Sequence, residues 1–110
     1  MSGAAMAVTP EPPYYAVIFT SMRTPNDDEG YGRMSDLMVE LAAQQAGFIG
    51  VDSAREDVGI TVSYWRDLES ITAWKRNAEH VVAQRSGRAT WYECYTTRIA
   101  KVERDYSFQR

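Results

Sequence analysis

The single histidine, His80, is the side chain best suited to proton transfer near neutral pH. Its ordinary pKa of about 6.5 lets it gain and lose a proton easily there. Gln84 follows four residues later, and this spacing places both side chains on one face of a helix. The structural alternative is a helix histidine that hydrogen-bonds a carbonyl or a carboxylate. The sequence leaves both interpretations open.

Aromatic side chains are the second unusual feature. They make up 12% of the chain, and most lie between Tyr64 and Tyr106. Large flat rings can line a ligand pocket, but they also fill cores and partner interfaces. The candidate pocket walls are Tyr64, Trp65, Trp74, Trp91, Tyr92 and Tyr95. Substrate binding is predicted for four of them, Trp74, Tyr64, Trp91 and Tyr92.

Arg98 lies in the middle of an aromatic segment, on the same alternating set of residues as Tyr92 and Cys94. A lone buried charge is costly. We therefore expect Arg98 either to form a salt bridge with an acidic residue or to face an anionic ligand.

Motifs that bind metals or cofactors are not found in the sequence. There is one cysteine, Cys94, which excludes a cysteine-based metal site within one chain. Residues 27–29 are acidic but lack the spaced ligands of a calcium loop. No phosphate-binding loop, dinucleotide fingerprint or nucleophile elbow is present. We expect neither a metal nor a cofactor.

Composition and charge restrict the partners and the location. The 110 residues carry a formal net charge of -3 and form no basic stripe, which argues against nucleic-acid binding. No apolar run approaches the roughly 20 residues that span a membrane. The first 13 residues contain no Lys or Arg and no apolar core of a secretion signal. We expect a cytoplasmic protein that binds neither membranes nor nucleic acids.

Hydrophobic periodicity predicts one domain at residues 14–106 with the element order β-α-β-β-α-β. A disordered tail is predicted at residues 1–13, where three prolines occur, and a short C-terminal tail at residues 107–110. The predicted strands are 14–22, 48–55, 60–65 and 91–106, and the predicted helices are 31–45 and 68–85. This order is typical of a ferredoxin-like α+β fold, a four-stranded antiparallel sheet with both helices on one face.

The second face of this sheet needs a partner. Strand 14–22 is apolar on both faces, whereas two helices cover only one face of a four-stranded sheet. A bare apolar surface of this size favours association. We predict a homodimer in which two sheets pack face to face around a two-fold axis.

Five segments resemble the antibiotic biosynthesis monooxygenase family, and together they extend over about residues 14–106. The segments are AVIFTSMRT (16–24), GYGRM (30–34), ELAAQQAGFIGVDSAR (40–55), GITVSYWRDLESITAWKRNAEHVVAQ (59–84) and WYECYTTRIAKVERDY (91–106). The resemblance implies a dimeric α+β barrel. It implies less about chemistry, because the superfamily includes quinone-forming monooxygenases without cofactors, haem-degrading enzymes and members without known activity.

The activity that this resemblance implies is monooxygenation of an electron-rich phenol or anthrone with O2 and without a cofactor. Such a substrate donates an electron to O2 once it is deprotonated, so the protein needs a dry flat pocket, a base and groups that hold the anion. Trp74 would belong to the pocket, His80 would act as the base, and Arg98 and Gln84 would stabilise the anion.

Two other functions stay open on the same fold. The first is a non-enzymatic small-molecule binding or stress-response protein, for which the aromatic residues alone suffice. The second is haem binding or degradation. Haem-degrading members use an Asn on the first strand, a Trp on the second helix and a His ten residues later. Trp74 matches, but Gln84 stands where the His is expected and strand 14–22 has no Asn, so His80 would have to substitute.

Overall fold

The computed structural model describes residues 5–84 and 88–110, with the side chains of residues 83, 84, 88 and 89 outside that description. Within the described residues the chain forms four strands and three helices. Their bounds are β1 Tyr14–Arg23, α1 Asp28–Ala43, β2 Phe48–Arg55, β3 Gly59–Trp65, α2 Leu68–Gln84, α3 Arg88–Trp91 and β4 Tyr92–Val102. The predicted ferredoxin-like α+β order is confirmed, and the short helix α3 precedes the last strand.

The sheet is antiparallel, and its described strands follow the order β2-β3-β1-β4. The strand β1 therefore has a neighbour on each side. Tyr15 pairs with Trp65 of β3 and with Lys101 of β4. Because side chains alternate along a strand, this register fixes which residues of all three strands share a face.

Helix α1 begins at Asp28, three residues earlier than the periodicity predicted, because Asp27 caps it. Asp27 has the left-handed conformation that Asp tolerates, with φ 52°, and its Oδ1 accepts a hydrogen bond from the Gly30 amide at 3.1 Å. The acidic residues Asp28 and Glu29 lie in the first turn, where negative charge stabilises the helix dipole. After the helix the chain turns at Gly47, whose φ of 84° favours glycine.

A small apolar core joins the helices to one face of the sheet, which we call the helix side. Ala42 of α1, Trp65 of β3 and Ile71 of α2 are buried there. The partly buried side chains packed around them are Tyr15, Val17, Phe48 and Trp74. Trp65 is fully buried between Phe48, which it meets edge to face at a centroid separation of 5.4 Å, and Trp74, on which it stacks at 6.0 Å. Ring packing around Trp65 therefore holds α2 against the sheet.

The edge strand β4 is exposed over residues 93–101. The helix contacts with the sheet fall mainly on β2 and β3. Ile99, on the helix side of β4, keeps 51% of its surface exposed. The helices thus leave one flank of the sheet uncovered.

A register shift in β4 corrects one prediction. Met22 pairs with Cys94, but its neighbour Arg23 pairs with Tyr92, so the pairing skips Glu93. The extra residue reverses the alternation at this point. Tyr92 consequently shares the helix side with Arg23, whereas Arg98, opposite Ile18 in β1, lies on the other face. The prediction that Tyr92 and Arg98 share one face is wrong.

The face of the sheet away from the helices, which we call the outer face, contacts both terminal segments. The Ala7 amide donates to Asp52 Oδ1 at 2.7 Å, and the Tyr64 hydroxyl donates to Asp52 Oδ2 at 2.9 Å. The Tyr14 hydroxyl donates to Asp105 Oδ2 at 2.5 Å. Burial and the bond to Asp52 raise the pKa of Tyr64 to about 12. Residues 5–13 contain no helix or strand, yet they contact the sheet here.

Helices that could cross a membrane are absent from the described residues, since none combines sufficient length with sufficient apolar character.

Replacing Ile71 by Val tests the core beneath α2. Ile71 is 3% exposed, so the lost methylene should lower the free energy of unfolding by about 1 kcal/mol. The matched control is Ile99→Val on the exposed flank, for which we expect a change within about 0.5 kcal/mol. Urea denaturation of both variants measures the difference. Equal losses would contradict the assignment of Ile71 to the core and of Ile99 to the surface.

Candidate active site

Five aromatic rings gather on the helix side of the sheet, next to the start of α1. Phe19, Tyr92 and Tyr95 contact one another with ring centroids 5.2 to 5.6 Å apart. Tyr31 of α1 contacts Tyr92 at 5.8 Å and Trp91 at 6.2 Å, both edge to face. We call these five residues the aromatic cluster. Edge-to-face packing is the geometry that ring quadrupoles favour, and it makes the five side chains one connected wall.

The aromatic cluster is accessible from the β4 flank of the sheet. Tyr95 is 37% exposed, and the residues around it on β4 are exposed as well. A depression of about 300 Å³, lined by Asp27, Gly30, Arg33 and Trp91, adjoins the cluster and shares Trp91 with it. A flat ligand can therefore approach the rings without any rearrangement of the core.

Asp27 joins the start of α1 to the aromatic cluster. Its Oδ2 accepts a hydrogen bond from Trp91 Nε1 at 3.2 Å, while Oδ1 accepts from the Gly30 amide. These two bonds, the one from Trp91 first, lower the pKa of the Asp27 carboxyl below its ordinary value. Glycine suits position 30, because a Cβ there would collide with the Asp27 carboxylate. One carboxylate thus fixes the first turn of α1 and the orientation of the Trp91 ring.

Arg23, the last residue of β1, places a positive charge over the cluster. Its guanidinium carbon lies 3.9 Å from the centre of the Tyr31 ring, within the range of a cation–π contact. Nη1 donates to Asp28 Oδ1 at 2.8 Å, and Nη2 donates to the Asn26 carbonyl at 2.8 Å. Arg23 Nε is buried and has no hydrogen-bond partner among the described residues. The charge of Arg23 is therefore partly balanced and held in place.

Arg55, the last residue of β2, places a second guanidinium near the same ring. Its guanidinium carbon lies 5.7 Å from the centre of Tyr31, and Nη2 donates to the Oγ of the buried Ser21. Within the described part of the chain, no carboxylate forms an ion pair with Arg55. Tyr31 thus lies beside two cations, and among the described residues Arg23 is the one with an acidic partner.

The Tyr92 hydroxyl is a neutral hydrogen-bond donor at physiological pH. Burial is the main cause of its strongly raised pKa, and the neighbouring Tyr31 raises it further. The charges of Arg55 and Arg23 act in the opposite direction but do not offset these effects. A phenol that stays protonated beside guanidinium groups can donate to an anion, and it is a poor base.

Three of the predicted pocket walls lie in the aromatic cluster, and two of them, Trp91 and Tyr92, are also predicted substrate-binding residues. Trp74 lies elsewhere on the helix side, where it stacks on Trp65 at an interplanar angle of 25°. Tyr64 lies on the outer face and hydrogen-bonds Asp52. The structure therefore does not bring the four predicted substrate-binding residues together.

Two of the three predicted catalytic residues lie away from the aromatic cluster, and the side chain of the third lies outside the described residues. His80 is exposed on α2, and nine residues of helix place it about 180° around the axis from the buried Ile71. Arg98 is exposed on the outer face. The side chain of Gln84 lies outside the described residues. The roles of these three residues in catalysis stay predictions.

Sequence reasoning missed Arg23, Arg55 and Tyr31. Alternation along β1 places Phe19, Ser21 and Arg23 on one face, a signal that was available in the sequence. No comparable signal exists for Arg55, because its position depends on pairing between β2, β3 and β1.

Among the described residues, no group of three or more His, Cys, Asp or Glu side chains is arranged to hold a metal ion. The aromatic cluster contributes rings, phenol hydroxyls and, through Arg23 and Arg55, positive charge. These groups suit a flat organic molecule that becomes or carries an anion.

Comparison with solved structures shows that this architecture is a known small α+β fold. The structure of SnoaB, a cofactor-independent oxygenase from Streptomyces nogalater, superposes with a TM-score of 0.65, 11% identity, and coverage of 90% of this chain and 100% of that one. At this identity the likeness shows the fold alone.

Sequence comparison gives the family. The family model of the antibiotic biosynthesis monooxygenases matches residues 13–86. The uncharacterized protein YqjZ of Bacillus subtilis is 52% identical over 106 residues, which cover 94% of this chain and 92% of YqjZ. Jasmonate monooxygenase of Pyricularia oryzae is 29% identical over 92 residues, 80% of this chain but 43% of that protein. The chain belongs to the antibiotic biosynthesis monooxygenase family, as the sequence resemblance predicted.

Replacing Asp27 by Asn tests the carboxylate that supports the cluster. Asn caps helices well and tolerates a left-handed conformation, so the variant removes the charge and leaves the shape. Because the folded-state pKa of Asp27 lies below the ordinary value of 3.8, its charge stabilises the fold above that value and stops doing so as the pH falls through the folded-state pKa. Wild type should therefore have a higher Tm than Asp27→Asn at about pH 6, with the gap closing towards about pH 3.

The gap between the two Tm values isolates Asp27, because every other carboxyl titrates in both proteins. A gap that is constant with pH, or absent at about pH 6, would contradict the stabilising role of the Asp27 charge.

Proposed function

We propose that this chain is a monooxygenase that oxidises an electron-rich aromatic small molecule, of the phenol or anthrone type, with O2 and without a cofactor. The reaction site is the aromatic cluster. The observation that supports this most is the pair of guanidinium groups, Arg23 and Arg55, beside the ring of Tyr31. Family membership supports oxygenase chemistry in general, and the site geometry suggests where it occurs.

The chemistry begins with loss of the substrate proton. The resulting carbanion or phenolate is electron-rich enough to transfer an electron to O2, and the two radicals then combine into a peroxide. Loss of water from the peroxide gives a quinone. For anthrone, one O2 supplies one oxygen atom to the product and one to water, while two hydrogen atoms leave the ring carbon. The substrate provides all four electrons, so no further reductant is consumed.

The cluster residues fit the anionic stage of this sequence. Phe19 and Tyr95 offer ring faces against which a flat substrate can lie. Arg23 and Arg55 favour the deprotonated form of the substrate through their charge, as nearby cations lower the pKa of an acid. Tyr92, a neutral phenol that hydrogen-bonds Tyr31 in the absence of a ligand, would turn its proton towards the developing oxyanion. These roles require no charged base within the cluster. A substrate whose pKa is lowered by the nearby cations can give its proton to solvent water.

The proposed enzyme is a homodimer that forms through the outer face. Met22, Val58 and Ile60 are large apolar side chains at one end of that face or at its hairpin, and each is more than 40% exposed. The exposed strand β4 continues this surface. Burial of such a patch favours association.

Size-exclusion chromatography with light scattering tests the dimer. Wild type should have twice the mass of one chain, and Ile60→Arg should shift it towards the monomer, because an unpaired charge would have to be buried at the contact. The control is Val39→Arg on α1, where the side chain is also exposed. A monomeric wild type, or an equal effect of both variants, would contradict a contact through the outer face.

Oxygen uptake by metal-free protein with anthrone tests the activity. Wild type should consume one O2 per anthraquinone formed and release no hydrogen peroxide. Tyr92→Phe keeps the ring and removes the donor, so turnover should fall about tenfold or more. The matched control Tyr106→Phe removes the same atom from a side chain that is 86% exposed, and it should retain wild-type turnover.

The same assay decides between the competing site assignments. Equal turnover of wild type and Tyr92→Phe would contradict a site at the cluster. A loss confined to His80→Ala would instead support the base predicted from the sequence. No oxygen uptake by wild type with anthrones, naphthols or their carboxylated analogues would contradict the oxygenase and favour a small-molecule binding protein.

A further inference from the structure

A cross-strand row on the helix side contains two very small residues. Arg55 of β2 pairs with Gly59 of β3, Gly59 pairs with Ser21 of β1, and Ser21 pairs with Tyr95 of β4. Gly59 and Ser21 are both buried. Because neither has a bulky side chain, the row forms a trough in the sheet that ends at the Tyr95 ring.

The side chain of Arg55 lies in this trough instead of extending into solvent. Its guanidinium covers Gly59 so closely that a Cβ on Gly59 would collide with it. At the far end it donates a hydrogen bond to Ser21 Oγ. Folding a long, flexible side chain back onto the sheet costs rotamer entropy. The contacts with Gly59 and Ser21 hold the charge at the cluster.

The charge held in the trough has no carboxylate partner among the described residues. Arg23, the other cation at the cluster, forms an ion pair with Asp28 and bonds the Asn26 carbonyl. Arg55 forms no ion pair among the described residues, and Ser21 is the acceptor that its guanidinium bonds there. Arg55 is nevertheless exposed to solvent overall, so a ligand can reach it. A guanidinium that is positioned, accessible and without a carboxylate is suited to bind one from a ligand, and its paired N–H groups match the two oxygens.

We propose that Arg55 is the specificity-determining residue of the aromatic cluster and that it binds a carboxylate of the substrate. This inference rests on the proposed function, because it concerns the molecule that the cluster oxidises. The substrate is then an aromatic acid. Its ring lies against Phe19 and Tyr95, its oxidisable hydroxyl or methylene group lies near Arg23 and Tyr92, and its carboxylate lies on Arg55.

Calorimetric titration with three related naphthalenes tests this assignment in the whole protein. The probes are 6-hydroxy-2-naphthoate, its methyl ester and 2-naphthol, which share one ring system and differ in charge. Wild type should bind the acid about tenfold more tightly than the ester, the range expected for a hydrogen-bonded charge pair that solvent partly screens. The ester and 2-naphthol should bind with similar affinity.

Two variants identify Arg55 as the cause of the preference. Arg55→Gln removes the charge and should equalise the affinities for acid and ester. Gly59→Ala retains the charge but places a methyl group where the guanidinium lies, so Arg55 must leave the trough and the preference should fall as well. The control Arg76→Gln removes the same charge from an exposed position on α2 and should keep the preference.

The ratio of acid to ester affinity separates recognition from a general structural role, since a distorted cluster would weaken both ligands equally. A preference that persists in Arg55→Gln, or a wild type that binds acid and ester alike, would overturn the proposal and leave the oxygenase standing. A wild type that binds none of the three probes would overturn the aromatic cluster as a ligand site, and the proposed function with it.

Discussion

The hydrogen bonding of β1 to a strand on each side is the constraint on which the site depends. Alternation along β1 puts Phe19, Ser21 and Arg23 on one face, and the pairing of Tyr15 with the buried Trp65 places that face under the helices. The pairing of β3 with β1 on one side and β2 on the other also places Arg55, Gly59 and Ser21 in one cross-strand row. A slip by one residue would send all of these side chains to the opposite face. The buried Trp65, opposite Tyr15, opposes such a slip because it has to stay under the helices.

The fold could be predicted from the sequence because each element carries its own local signal. The strands are β-branched, the helices repeat every three to four residues, and Gly47 marks a turn that needs a positive φ. The site could be predicted only where it follows from such local patterns, as for Trp91 and Tyr92. The register shift between Tyr92 and Cys94 depends on the partner strand, so alternation along the sequence placed Arg98 wrongly relative to Tyr92. The trough that holds Arg55 requires small residues on two other strands, and no single segment reveals it.

Two positive charges, those of Arg23 and Arg55, lie at the aromatic cluster of a chain whose net charge is negative. The net charge is -3, yet two guanidinium groups lie within 6 Å of the centre of one phenol ring. Asp28 forms an ion pair with Arg23, so among the described residues the charge of Arg55 and the neutral Tyr92 hydroxyl are the groups best placed to stabilise an anion. Such a combination stabilises an anion more than a neutral molecule. The acidic exterior would repel a distant anionic ligand slightly, and the attraction acts at short range, where the ligand has already met the rings.

The two faces of the sheet are coupled at the end that carries the cluster. On the outer face, Ala7 hydrogen-bonds Asp52 and Asp105 hydrogen-bonds Tyr14, whereas Met22 and Ile60 at the opposite end from Tyr14 are exposed. That opposite end is also the end where Arg23 and Tyr92 face the helices. Because the outer-face and helix-side residues alternate along the same stretches of β1 and β4, any partner seated on the open end of the outer face contacts the backbone that carries the cluster. Association and ligand binding would therefore act on one shared pair of strands, and a displacement of β4 by a partner would move the Tyr92 and Tyr95 rings directly.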